Sequence, residues 1–209
     1  ADLVLLSSAP IPDALAASAH AQELISTRTT SFRSMVMVDE ILQMAEVKAV
    51  ESAYPIRGEL RTSESLFGTE QATSDLPMPG EVWVDARLLQ ILGIEIGEEI
   101  NLGASQLSIA RILNYEPDRG GDIFNIAPRL LMNAADVEDT KLILPGSRVQ
   151  YRLLLGGDMQ SINSFRNKVE GQNNLSIQGI RDARPELKSA LERAEQFLGL
   201  AVLVSIALA

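Results

Sequence analysis

The sequence predicts an α+β fold: a discontinuous, mixed α/β platform, a small β-rich subdomain inserted into it, and a long helix at its end. Three observations carry this. Both ends of the chain read β-α-β. Two breaks, the Ser-, Thr-, Gly- and Pro-rich residues 63–80 and the pair Pro145-Gly146, bracket a β-rich middle. The last residues then turn from a charged helix into a wholly apolar one. The expected division is 1–64 for the first part of the platform, 65–145 for the insertion, 146–184 for the second part, and 185–209 for the helix.

Taken in order, "DLVLLSS" is a short apolar run closed by serines, the pattern of a buried strand. "PIPDALAASAHAQELI" follows as a helix, with Pro12 suited to its first turn. "SFRSMVMVD" and "ILQMAEVKAVE" are β-like stretches that meet at Asp39-Glu40 and form a hairpin; "IRGELRT" resumes an extended pattern after Pro55. Residues 63–80 read as a linker or long loop. In the insertion, "EVWVD" is a strand, and "DARLLQILG" is a helix with Asp85 as N-cap and Gly93 just past its end. "EEINLG" and "QLSIARILNY" alternate about the turn "GAS" as a second hairpin, while "PRLLMN" and "AADVEDTKLI" add a strand and a short helix. The closing part holds the strand "RVQYRLLLGGD", a helix from the N-cap Asp158 to Gly171, and the strand "NLSIQGI".

The stretch from Pro185 to Ala209 is the most informative. Leu187, Ala190, Leu191, Ala194 and Leu198 fall on one helical stripe, with Lys188 and Glu192 opposite. From Phe197 onward no residue is charged. That apolar part is shorter than the ~20 residues needed to span a bilayer. It reads as the start of a transmembrane helix, cut short, with a stalk leading into it. As one helix rising about 1.5 Å per residue, the stretch would run roughly 37 Å.

Composition excludes several classes. The 209 residues carry 28 acidic and 18 basic side chains, a net charge of −10. Nucleic-acid binding, which neutralises phosphates with Lys and Arg, is not expected. The absence of cysteine removes disulfides and thiol catalysis. The N-terminus lacks the basic and long apolar regions of a signal peptide, so an extracytoplasmic location would require a preceding segment. His20 is the single histidine and lies in an Ala-rich helix without an acidic partner at obvious spacing. "DRGGD" and "LLLGGD" set acids beside paired glycines and read as turns, and Glu98-Glu99 as solvated carboxylates. No catalytic, cofactor-binding or metal-ligating residue is expected.

The segment "WVDARLLQILGIEIGEEINLG" resembles one found in FtsX-like (MacB/LolC-type) ABC transporter permeases: strand, short helix ending in Leu-Gly, then Gly-Asp/Glu-x-Ile before a strand. Leu92-Gly93 and Gly97-Glu98-Glu99-Ile100 occupy those places. "DLVLLSSAPIPDAL", "VKAVESAYPIRGELR" and "LERAEQFLGLAVLVSIALA" look closest to the YbbP-type permeases of that superfamily. The resemblance covers essentially the whole chain. It implies a porter-like periplasmic domain between two transmembrane helices of a bacterial inner-membrane protein. It further implies a separate cytoplasmic ATPase subunit and mechanical transmission along the stalk. A lipid or other hydrophobic substrate, or a periplasmic protein, would be the partner. Gly93 and Gly97 are then structural candidates, and Leu187, Leu191, Ala194 and Leu198 transmission candidates. Two other outputs are open at this level: recruitment of a periplasmic enzyme, and an independent acidic hydrolase.

Overall fold

In the computed structural model, residues 1–118, 127–171 and 175–179 are described. Strand β1 (Leu3–Ser7) buries Leu3 and Leu5, the alternate positions of a pleated strand. Helix α1 (Asp13–His20) starts after Pro12, whose fixed φ suits a helix entrance, with Asp13 favourably placed at the positive end of the helix dipole. It ends earlier than the sequence predicts. Glu23 turns left-handed at φ 60, and Ile25 already opens β2 (Ile25–Val38). Tertiary pairing there overrides the helix preference of "AQEL".

Strand β2 forms a long hairpin with β3 (Ile41–Val50), paired from Val38↔Ile41 to Thr29↔Val50. At the far end of the described chain lie β10 (Val149–Gly156), α3 (Met159–Val169) and β11 (Ser176–Gly179). The strands lie side by side in the order β11-β1-β10-β2, with β1 and β2 each antiparallel to β10. With α1 between β1 and β2, and α3 between β10 and β11, this is the split β-α-β arrangement of ferredoxin-like folds, opened between its second and third strands. Both helices bury their apolar sides in one cluster with the sheet: Ala19, Ile162, Phe165 and Val169 pack with Leu3, Leu5, Leu153 and Leu155. Asp158 caps α3 by accepting from the amides of Gln160 and Ser161.

Between β3 and β10 come β4 (Leu60–Ser63), β5 (Gln71–Thr73), β6 (Glu81–Val84), α2 (Ala86–Leu92), β7 (Glu99–Leu102), β8 (Ser105–Tyr115) and β9 (Arg129–Asn133). The stretch expected to be a linker thus contains β5, paired with β4. The short helix expected in "AADVEDTKLI" is a single 3₁₀ turn, Ala134–Asp136, followed by turns. Strand β7 pairs with both β8 and β2, while β3 pairs β9, β9 pairs β6, and β6 pairs β8. The chain β2-β3-β9-β6-β8-β7 therefore closes on itself as a ring. Closure gives these strands partners along much of the edges that they would otherwise expose. Its inward residues include Val36, Val47, Val84, Ile100, Ile109 and Leu130, joined by Leu88, Leu89 and Leu92 of α2. One extra residue, Ala110, bulges β8 against β6 and lets the alternation continue.

Asp85 caps α2, and Gly93 ends it at φ 67, ψ 33, a left-handed turn that costs glycine no steric penalty. Gly97, at φ 93, makes the next turn, and its amide donates to the Ile109 carbonyl. Outside the ring, Trp83, Leu131, Leu113 and Val50 meet Tyr54 and Leu60 in a third cluster. Residues 1–177 form one unit, in which the β2–β3 hairpin belongs both to the platform sheet and to the ring. The predicted helix 185–209, with Leu187, Leu191, Ala194 and Leu198, lies outside the described residues.

Candidate functional site

Three places concentrate polar chemistry or exposed apolar surface. The first is a cleft of about 400 Å³ between α1 and β2, lined by His20, Ser26, Arg28, Glu51 and Leu153 among others. His20 Nε2 lies 3.1 Å from Ser26 Oγ, a pairing that their sequence spacing did not reveal. Among the described residues no carboxylate is hydrogen-bonded to the other ring nitrogen, so the pair lacks the orienting group of a nucleophile-base unit. Arg28 is tied to Asp13 at 2.6 Å and lies 3.8 Å from Glu51, so its charge is largely balanced.

The second is a buried ionic cluster on the outer side of the ring. Alternation along β3 turns Val47 and Ala49 inward and leaves Glu46 and Lys48 on the opposite face. Arg129 opens β9 directly beside Glu46, and Glu116 follows β8. Glu116 accepts from Lys48 Nζ and from the Tyr54 hydroxyl, each at 2.5 Å, and from Arg129 Nη1. Arg129 Nη2 also donates to Glu46 at 3.1 Å. Burial alone would raise the Glu116 pKa, but the Lys48 and Arg129 charges outweigh it and hold the carboxyl down at about 2. Burial and the adjacent carboxylate push the Tyr54 phenol upward, so it remains a donor. The cluster ties β3, β9, the end of β8 and the segment after β3 together. A charged residue inside the apolar run "VKAV" was its one signal in the sequence.

The third is the outward face of the β2–β3 hairpin. Met35 stands opposite Met44, and Met37 opposite Leu42. Each side chain of these pairs is between 40% and 57% exposed. No group of acidic or histidine side chains able to hold a metal occurs among the described residues. Of the acidic motifs, Glu98 accepts from the Glu95 amide and Glu99 is exposed. "LLLGGD" is mostly the end of β10, with only Gly157 and Asp158 turning into α3, while most of "DRGGD" lies outside the described residues.

No protein-family model matches the chain. Its fold resembles that of the periplasmic region of MacB from Actinobacillus actinomycetemcomitans, at a TM-score of 0.60 with 12% identity, covering 91% of this chain and 92% of that one. It also resembles the extracellular domain of the noncanonic ABC-type transporter YknZ from Gram-positive bacteria, at a TM-score of 0.53 with 7% identity, covering 85% of this chain and 100% of that one. Across its whole length the chain is also 33% identical to the uncharacterized ABC transporter permease YbbP of Escherichia coli K12, of which it spans 25%. The chain is thus similar along its whole length to a segment of an ABC transporter permease, and its fold is like that of the periplasmic region of MacB.

Proposed function

We propose that this domain binds a substrate or partner protein on the periplasmic side of the bacterial inner membrane and moves with ATP hydrolysis by a separate cytoplasmic subunit. The observation that carries the reading is the full-length match to a segment of an ABC transporter permease. The division at 1–64, 65–145, 146–184 and 185–209 belongs to the same proposal. The platform would carry the stalk, and the inserted strands would complete the ring on the β2–β3 hairpin. Gly93 and Gly97 shape the turns that set α2 against the ring. Leu187, Leu191, Ala194 and Leu198 would pack the stalk helix against a neighbour, and the apolar residues after them would enter lipid. The role is mechanical, with the nucleotide chemistry in the ATPase subunit.

A proline within an α-helix removes a hydrogen bond and kinks it, at a cost of about 3 kcal/mol. In the full-length permease with its ATPase, Glu192→Pro should therefore leave ATP hydrolysis measurable but disconnect it from this domain. Hydrogen exchange of the β2–β3 hairpin should differ between nucleotide-free and ATP-bound wild type, and that difference should vanish in the variant. A nucleotide-dependent difference that persists in Glu192→Pro, or that is absent from wild type, would count against the coupling role.

A further inference from the structure

We propose that the outward face of the β2–β3 hairpin is the docking surface for an apolar segment of a partner protein flanked by lysine or arginine. The inference rests on the partner-binding reading above and assigns it a place and a chemistry. Met35↔Met44 and Met37↔Leu42 are direct cross-strand pairs, so their side chains form one continuous apolar surface. The four are exposed by 42%, 48%, 40% and 57% respectively, while the adjoining Val36 and Ala45 are fully buried in the ring. A cluster of large apolar side chains held outward by a rigid strand pair is a liability unless something covers it. Methionine suits such a surface because its unbranched thioether adapts to the shape it meets.

The rim decides the occupant. The exposed turn supplies Asp39 and Glu40, and Glu99 is exposed on β7, whose Asn101 pairs with Met37. The one cation bordering the patch on these strands, Arg33, is outnumbered by these three carboxylates. The surface around the apolar pairs is therefore acidic. An anionic bilayer surface would be repelled, and a second copy of the chain would bring like charges together. A segment with an apolar side and basic flanks satisfies both the patch and its rim. Along the edge of β3 from Ile41 to Ala45 no other strand pairs among the described residues, because β9 begins opposite Glu46. Among the described residues, no strand blocks approach to the patch from that side.

The test titrates the 209-residue chain with a helical leucine–lysine peptide and reads both affinity and methionine oxidation by peroxide. The proposal predicts protection of Met35, Met37 and Met44, but not of the more exposed Met78 and Met159, at 62% and 64%. The double variant Met37→Ser/Leu42→Ser should bind at least ten-fold more weakly. Glu40→Lys/Glu99→Lys should instead favour the corresponding leucine–glutamate peptide. Uniform protection of all five methionines, unchanged affinity in the apolar variant, or no switch in charge preference would overturn the proposal. So would protection of the same methionines by phosphatidylglycerol vesicles but not by the peptide, or by self-association of the chain alone. The assay needs neither membrane nor ATPase, so its failure is separable from a failure of the coupling role.

Discussion

Glu116 joins three side chains, Lys48, Tyr54 and Arg129, from three segments, and its ionisation sets a pH dependence. Its folded pKa, about 2, lies below the ordinary 4.5. The stability it contributes is therefore complete above pH ~4.5 and is lost as pH falls towards and through about 2. The difference corresponds to about 3 kcal/mol. Acid unfolding followed by circular dichroism should show this loss in wild type and much less of it in Glu116→Gln. At neutral pH the same variant leaves Lys48 and Arg129 buried without their shared carboxylate and should cost about 3–5 kcal/mol. Equal acid sensitivity of variant and wild type would assign the titration to other carboxylates. Gly93 makes a simpler case. A Cβ built there meets nothing within 4 Å, so any cost is backbone strain alone. Gly93→Val should lose about 1–2 kcal/mol in denaturant melts, and Gly93→Asn distinctly less, because asparagine tolerates the left-handed region. Equal stability of the two variants would contradict this.

Helices and hairpins were largely legible where their signals are local. Asp85, Asp158 and Gly93 announce helix ends because capping is a matter of one side chain and the next few amides. The hairpin at Asp39-Glu40 follows from alternation on either side of it. The end of α1 was not legible, since "AQEL" has good helix propensity and only pairing of β2 with β10 draws the chain away. Strand β5 was hidden for a similar reason: its three residues, "QAT", carry no hydrophobic pattern and exist as a strand only beside β4. Ring closure depends on Val36↔Leu102 and Met37↔Asn101, contacts between distant segments that no local periodicity encodes. For α3, Phe165 is fully buried against the platform sheet, so Phe165→Ala should cost about 3–5 kcal/mol and lower the melting temperature. A near-neutral result would mean that α3 does not depend on this contact.

At the scale of the molecule, one hairpin serves both parts of the fold, because β2 pairs with β10 of the platform and with β7 of the ring. The platform takes its strands from both ends of the described chain, whereas the ring draws on the middle and borrows β2 and β3. The buried Glu116 cluster lies beside that hairpin and fixes β3 against β9. Little of the candidate site could be read from sequence, because Met35, Met37, Leu42 and Met44 look like core residues until the strand register turns them outward. A net charge of −10 disfavours contact with nucleic acid or an anionic membrane face. A periplasmic domain must be reachable by reagents that cannot cross the inner membrane. The chain has no cysteine, and Phe67 is 96% exposed, so Phe67→Cys in a cysteine-free full-length permease gives one clean reporter. Labelling by a membrane-impermeant maleimide in intact spheroplasts should be as complete as after lysis. Labelling that appears only after lysis would place the domain in the cytoplasm and contradict the account.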